Sequence, residues 1–342
     1  MKAVSTVIVI ILILMISVAL SALSYMFFSK IYTSVTTTAS SAVSQAVTST
    51  TALMKIESIS INTAYIRNIG QADLSNFSVY VGDKLASNFT VTPSVVKKGE
   101  VGTIKIYDFI KEDDDIKITT AQGGLSSKKA PDPCDQAVLC LKFDEGSGTT
   151  AKDSSGFSGN DGTLYNGTQI CGGNSTYNTT CPQWTTGKYG SALRFDGVND
   201  YIYVGSPSSL QIAGDLTISF WAYPINFAVP NRQNPIDKAY DGEFALTIEN
   251  DGNQSYYHGT GTYISCSFRN VWENNKWIHI TLVRNVSAQT VRVYKNNKEV
   301  SDSCSSWISP SISIQPVIIG NGYSNVFNGT IDEVRIYNKA IY

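Results

Sequence analysis

Histidine occurs only twice in 342 residues, and no cysteine precedes Cys134. Two histidines leave a Cys/His metal cluster short of ligands, and the spacings of the six cysteines match no zinc site. An excess of one charge is lacking as well: 26 Lys+Arg stand against 28 Asp+Glu, a formal net charge of -2. That balance leaves no basic footprint for DNA or RNA, so nucleic acid is not expected as a partner. Glycine and proline are absent before Gly70, and no charged residue occurs from Ala3 to Ser29. Nothing in the opening segment therefore breaks a helix or keeps it out of a bilayer.

What fills that segment is "MKAVSTVIVIILILMISVALSALSYMFFSK". A secretory signal has an apolar stretch of about 7 to 15 residues, whereas a spanning helix needs about 20. This run is long enough to span, carries only Lys2 before it, and has no well-marked small-x-small cleavage site, since Ser21-Ala22 leads into more apolar residues. Beyond it, Phe28, Ile31, Val35, Val43 and Val47 recur at helical spacing, with Ala39, Ala42 and Ala46 between them. The intervening Ser and Thr would also suit a flexible stalk. Read as one helix, residues 4–52 make a rod of about 70 Å, far longer than a bilayer requires.

The stretch "KAVSTVIVIILILMISVAL" resembles the N-terminus of archaeal type IV pilin-like proteins. The resemblance implies a leader of residues 1–3, cut between Ala3 and Val4, and a helix retained first as a membrane anchor and then as the packing core of a filament. Its partners would be the membrane and other pilin subunits. Ser17, Ala19, Ser21 and Ala22 supply small residues for close helix packing. An uncleaved anchor is the alternative.

After the helix the period changes. "KIESISI", "NFSVYVGDK" and "GTIKIYDF" alternate apolar and polar residues between Gly, Asp and Asn, which reads as antiparallel strands with one buried face. Residues 53–126 are expected to form a small β-sandwich, and "NIGQADLSNFSVYVGDK" with "VVKKGEVGTIKI" resembles the immunoglobulin-like modules that follow pilin helices. The run "KEDDD" reads as a solvated turn, and residues 127–136, from the "GGLSSKKAPDPCD" stretch, as a linker.

From residue 137 to 342, "AVLCLKFDEGSGTTAKDSSGFSGNDGTL", "GKYGSALRFDGVNDYIYV", "LTISFWAYP", "NKWIHITLVRN", "VRVYKNNKEV" and "FNGTIDEVRIYNKAI" follow in order. Together they resemble the laminin G-like, concanavalin A-type jelly roll. The expected fold class is thus mainly β: a long N-terminal hydrophobic α-helix, an immunoglobulin-like sandwich, then a two-sheet jelly roll. Asn296-Asn297 suits a two-residue hairpin turn. The resemblance places Phe195, Trp221, Trp277 and Tyr337 among core aromatics, and His279 in a packing role with no Ser or Cys motif beside it.

Many modules of that kind hold one structural calcium, which wants six to eight oxygens. The candidate ligands are Asp144, Glu145, Asp196, Asp200 (with Asn199 nearby) and Asp332, because the first and last strands of a jelly roll lie together. No strand carries the alternate Glu, Asp and Glu of jelly-roll glycosidases, and Asp332 and Glu333 are expected on opposite faces, so no catalytic residue is assigned and an enzyme is not expected. Cys171 with Cys181, Cys266 with Cys304, and Cys134 with Cys140 form one of fifteen possible connectivities. Sequons stand at Asn76, Asn88, Asn166, Asn174, Asn178, Asn253, Asn285 and Asn328, a count only slightly above chance.

By fold analogy the head binds glycans or surface glycoproteins, with Tyr256, Tyr257, Tyr263 and Tyr323 at loop tips as stacking surfaces. The expected protein is a cell-surface adhesin subunit; an anchored lectin that does not polymerise, or a purely structural subunit, are the alternatives.

Overall fold

The computed structural model of the chain describes residues 6–157, 159–172, 181–300, 302–304 and 306–341. The expected scissile bond between Ala3 and Val4, and the sequons at Asn174 and Asn178, lie outside the described residues. Among the described residues one α-helix, Thr6–Thr51, runs for 46 residues. Its hydroxyls bond back to the preceding turn, as from Ser21 Oγ to the Ser17 carbonyl (2.8 Å) and Thr37 Oγ1 to the Thr33 carbonyl (2.7 Å). The hydroxyls of Ser17, Ser21, Thr33, Thr36, Thr37 and Thr38 are thereby satisfied within the helix. The stretch Ile10–Ala39 contains an 18-residue window of mean hydropathy 2.4, is long and apolar enough to cross a membrane, and has no face buried against the rest of the chain.

Backbone hydrogen bonds tie the end of the helix to the sandwich. The amide of Gln71 donates to the Thr51 carbonyl (2.7 Å), and those of Ile69 and Gly70 donate to the Leu53 carbonyl (both 3.0 Å). Gly70 permits this approach, because a Cβ there would lie 2.1 Å from the Thr51 oxygen and 2.4 Å from the Leu53 nitrogen.

Two four-stranded antiparallel sheets follow. One orders Met54–Ser60, Thr63–Asn68, Val101–Ile106 and Phe89–Thr92; the other orders Lys84–Leu85, Ser78–Val81, Asp115–Thr119 and Leu125–Lys129. Alternation sends Ile56, Ile66, Val79, Ile104, Ile116 and Ile118 into one shared core. The segment expected as a flexible linker is instead built into the structure. Leu125–Lys129 pairs with Asp115–Thr119, Ser126 Oγ accepts from the Ile56 amide (3.0 Å), and Pro133–Gln136 forms a 3-10 turn bonded through Cys134 to Cys140. Serine and lysine on an edge strand keep their backbone partners on one side only, a pattern that resembles a linker in composition.

The C-terminal domain stacks a ten-stranded sheet on an eight-stranded sheet, a concanavalin A-like sandwich. Disulfides join Cys171 to Cys181 and Cys266 to Cys304, the latter across directly paired strands. The first strand, Leu139–Leu141, pairs with the last, Asn328–Tyr337, at Leu141 and Val334. Asn296 and Asn297, at φ 47° and 71°, form the two-residue turn between Lys295 and Lys298. Phe195, Phe220, Leu282 and Ile336 lie in the inter-sheet core.

Trp221 and Trp277 do not lie there. On Leu216–Pro224 the residues Ile218, Phe220 and Ala222 face the core, so period two turns Ser219 and Trp221 outward; Trp277 is half-buried against Tyr223. Tyr337 packs in a separate cluster with Cys134, Cys140 and Ile341, against Ile61 of the smaller sandwich.

The outward face of the eight-stranded sheet is covered by that smaller sandwich. Phe109 stacks on Tyr189 (5.4 Å between ring centres), meets His279 edge-on (5.0 Å) and Trp221 (6.1 Å), and lies under the Arg335 guanidinium (4.2 Å). Arg335 Nη1 also donates to the Ile110 carbonyl (2.9 Å). The Asn296-Asn297 turn docks beside it: Asn88 Nδ2 donates to the Asn297 carbonyl (2.8 Å), and Asn297 Nδ2 to Asp108 Oδ1 (3.2 Å). The Asn88 sequon is closed by this contact, since its amide nitrogen is the atom a glycan would take. Of the other described sequons, Asn76 is exposed, and Asn166, Asn253, Asn285 and Asn328 are half-buried.

Candidate functional site

An open pocket of about 590 Å³ lies on the outer face of the ten-stranded sheet. Strand periodicity makes it. On Phe244–Ile248, Phe244, Leu246 and Ile248 enter the core while Ala245 and Thr247 face outward. On Tyr263–Phe268, Ile264, Cys266 and Phe268 enter the core while Tyr263 and Ser265 face outward. The register aligns Ala245 with Tyr257 and Tyr257 with Ser265, so these three form one cross-strand row on the pocket floor.

Four tyrosines ring the pocket. Tyr240 lies 4.1 Å from Tyr323 and 5.4 Å from Tyr263, and Tyr263 lies 5.7 Å from Tyr257, all between ring centres. Tyr263 and Tyr323 are 52% and 67% exposed, so their faces remain open to a ligand. The hydrogen bond to Tyr323 raises the Tyr240 phenol above its ordinary range. At the far side Arg232 Nε bonds Glu249 Oε2 (3.2 Å) and Arg232 Nη2 donates to the Tyr257 hydroxyl (3.0 Å). Asn234 anchors the loop that carries Tyr323: its Nδ2 donates to the Leu246 carbonyl (2.8 Å) and its Oδ1 accepts from the Ser324 amide (2.8 Å).

The structure thus brings together Tyr257, Tyr263 and Tyr323 and removes Tyr256. Tyr256 is wholly buried in the core, with its hydroxyl 3.1 Å from Arg284 Nη1, because it alternates with Tyr257 on Gln254–Gly259. Tyr257 and Tyr263 stand on strands rather than loop tips. Arg232, Asn234, Tyr240 and Glu249 were missing from the expected set; they lie in the connections that flank Ile236–Ala239 and Phe244–Ile248, and the pairing of those strands makes them neighbours.

Among the described residues no group of three or more His, Cys, Asp or Glu is arranged to hold a metal, and the five carboxylates considered for calcium each engage a turn. Asp144 Oδ1 accepts from the Ser191 amide (3.2 Å) and Asp332 Oδ2 from the Tyr189 amide (3.0 Å), both within one turn. Asp196 Oδ1 caps its own hairpin through the amides of Val198 (2.8 Å) and Asn199 (3.2 Å), and Asp200 Oδ2 accepts from the Asp196 amide (3.0 Å). Glu145 Oε1 accepts from the Lys152 amide (2.8 Å). Backbone amides thus hold one oxygen of each, as in turn caps, while Asp332 Oδ1, Asp200 Oδ1 and Glu145 Oε2 are buried without a partner. Burial pushes Asp200 and Asp332 up to about 7, with Asp196 and Glu333 adding repulsion.

Asp332 and Glu333 do not sit on opposite faces. Between Asp332 and Arg335 two residues of the last strand, Glu333 and Val334, oppose one of its neighbour, Phe220, and Glu333 has φ 52°. The bulge lets Glu333 bond Arg335 Nη2 (2.8 Å) on the side that carries Ser219 and Trp221. His279 is not alone either: Ser219 Oγ lies 2.9 Å from its Nε2. The pair is buried under Phe109, and burial and then the Arg335 charge hold His279 down at about 3, so the imidazole is sealed packing rather than an accessible base.

Residues 196–342 match the family model described as the concanavalin A-like lectin/glucanases superfamily. No curated protein matches the chain. Among solved structures it is similar to the binding domain of Paraclostridial mosquitocidal protein 1, at 19% identity over 60% of this chain and 49% of that one, with a TM-score of 0.45. It is also similar to domain 4 of AbnA, an extracellular arabinanase from Geobacillus stearothermophilus solved with arabinotriose (20% identity, 60% and 94% covered, TM-score 0.45). A third is the botulinum neurotoxin serotype D binding domain (18% identity, 60% and 49% covered, TM-score 0.44). The chain spans about half the length of the first and third of these.

Proposed function

We propose that this protein is a membrane-anchored, extracellular glycan-binding protein whose jelly-roll domain captures saccharides in the tyrosine pocket. The exposed tyrosine ring, on a floor of hydroxyl and amide groups, carries the reading. Tyrosine faces stack on the apolar faces of sugar rings while their hydroxyls stay hydrogen-bonded. The family description supports the same ligand class. Glu249 is the only carboxylate on the pocket wall and is tied to Arg232, so the reading is capture without hydrolysis. Three disulfides suit an oxidising, extracellular location for the head.

The test is a glycan array probed with the full chain in detergent. Tyr263→Ala is expected to weaken the strongest hits about 3- to 10-fold, the worth of one aromatic contact. An array without hits would refute the reading.

Polymerisation into a pilus-like filament extends it. A helix that is apolar on every face as far as Phe28 and runs 46 residues in all outlasts one bilayer crossing, and bundling with other subunits would bury apolar surface the membrane no longer covers. Mass spectrometry of the mature N-terminus decides this part: a chain beginning at Val4 supports prepilin-type processing, and one retaining Met1 or Lys2 supports an uncleaved anchor.

A further inference from the structure

A second depression of about 310 Å³ adjoins the tyrosine pocket and shares Tyr240 and Tyr323 with it as a common wall. Its floor continues the same cross-strand row: Ile318 pairs with Asp237, Asp237 with Ala245, Ala245 with Tyr257, and Tyr257 with Ser265. At about 4.8 Å between strands, those five residues extend about 19 Å across the sheet, longer than a single sugar ring needs. Asp237 is only 6% exposed. Its Oδ2 accepts from the Tyr323 amide, while its Oδ1 is buried with no hydrogen-bond partner. Gly322 leaves room for this carboxylate, since a Cβ there would lie 2.3 Å from Asp237 Oδ2.

A buried acceptor on a residue of the cavity wall, with a lone pair unused, is costly to leave that way. The cations nearby are already engaged. Lys238 points to the other side of its strand, where its Nζ meets Glu243 Oε1 at 2.6 Å with both side chains fully buried, and Arg232 is tied to Glu249 and Tyr257. Asp241 adds a second carboxylate to the wall of the smaller depression. Burial without a compensating cation pushes Asp237 up to about 6.

We infer that the two depressions are subsites for one neutral oligosaccharide of at least two sugars, in which a hydroxyl of the second unit donates to Asp237 Oδ1. The inference rests on the glycan-binding reading above. Hydroxyls supply the missing donor, and acid-bearing sugars are excluded from the second subsite because two carboxylates and no unpaired cation line it.

The experiment uses the full chain in detergent on an array of immobilised neutral and carboxylate-bearing glycans one to four units long. Hits are expected to be neutral, and disaccharides and longer chains to bind at least about 10-fold more tightly than their monosaccharides, the worth of a hydrogen bond to a charged group. Asp237→Asn should reduce that gain, and monosaccharide binding by the same variant reports separately on the tyrosine pocket, whose Tyr323 amide Asp237 also holds. Chain-length dependence in the unaltered protein reads the same step if the variant does not fold. Equal binding of monosaccharides, a preference for acidic glycans, or full affinity in a folded Asp237→Asn protein would overturn the inference alone, provided Tyr263→Ala still weakens binding. An array with no hits overturns the glycan-binding reading and this inference together.

Discussion

Removing Phe109 should loosen the contact between the two β domains and, with it, change how the protein responds to acid. A fully buried phenylalanine costs about 3–5 kcal/mol on truncation to alanine. Phe109 is half-buried, so about 2 kcal/mol is expected from packing, with about 1 kcal/mol more from its ring under the Arg335 guanidinium. At pH 7.5 Phe109→Ala should therefore be about 3 kcal/mol less stable.

The gap should narrow in acid. His279 is only 2% exposed and is held near 3, against 6.5 for the unfolded chain. Its folded value is depressed, so the unfolded state takes up a proton first, and stability present above pH 6.5 is lost as pH falls from there toward 3. At about 1.4 kcal/mol per pH unit this is about 2 kcal/mol by pH 5. Once Phe109 is gone, water reaches the ring, the folded value rises, and most of that loss disappears. Asp332, raised to about 7, titrates in the opposite sense, so Asp332→Asn is carried in both proteins. The assay is thermal and denaturant unfolding at pH 7.5 and pH 5, with the His279 titration followed by NMR. A stability gap that stays constant or widens at pH 5 would refute the reasoning, as would a His279 that still titrates near 3 in the variant.

Other outcomes follow from single contacts. Gly70→Ala forces a Cβ against the Thr51 carbonyl, so faster amide exchange is expected in Thr51–Leu53 and Gly70–Ala72, with a loss of about 1–3 kcal/mol; unchanged protection would show that the helix is not held there. Lys238→Met leaves Glu243 buried without its partner and should cost about 3–5 kcal/mol, while Lys238→Met with Glu243→Leu should recover most of it. A double variant no more stable than the single one would contradict that account. Asn297→Ala removes one hydrogen bond to Asp108 and a residue at φ 71°, so a loss of about 1–2 kcal/mol is expected; equal stability by chemical denaturation would count against the turn as a latch.

Local patterns carried much of the architecture. The uninterrupted apolar run specified a helix, alternation specified strands, and Asn296-Asn297 specified a turn with positive φ, because each depends on neighbours in the chain. The site was only partly legible for the same reason. Tyr257, Tyr263 and Tyr323 were visible as aromatic candidates, but so was Tyr256, and a tyrosine doublet on a strand always sends one ring each way. Which ring turns inward depends on what the opposite sheet offers. The Ser/Lys-rich stretch at Leu125–Lys129 read as linker because edge strands and linkers share polar composition.

The amino-acid sequence by itself determined a spanning-length helix, two β domains and the stock of tyrosines and carboxylates on the head, since propensity and periodicity act over a few residues. Tertiary structure alone decided which of those groups meet. The sheet and its connections place Arg232, Tyr240 and Tyr257 around one pocket with Tyr323 from far along the chain, leave Asp237 with an unused oxygen beside it, and bring Asp144 and Asp332 to the same turn. It also decided that Trp221 and His279 lie beneath Phe109 of another domain, because a sheet has two faces and only the docking of the smaller sandwich covers the second.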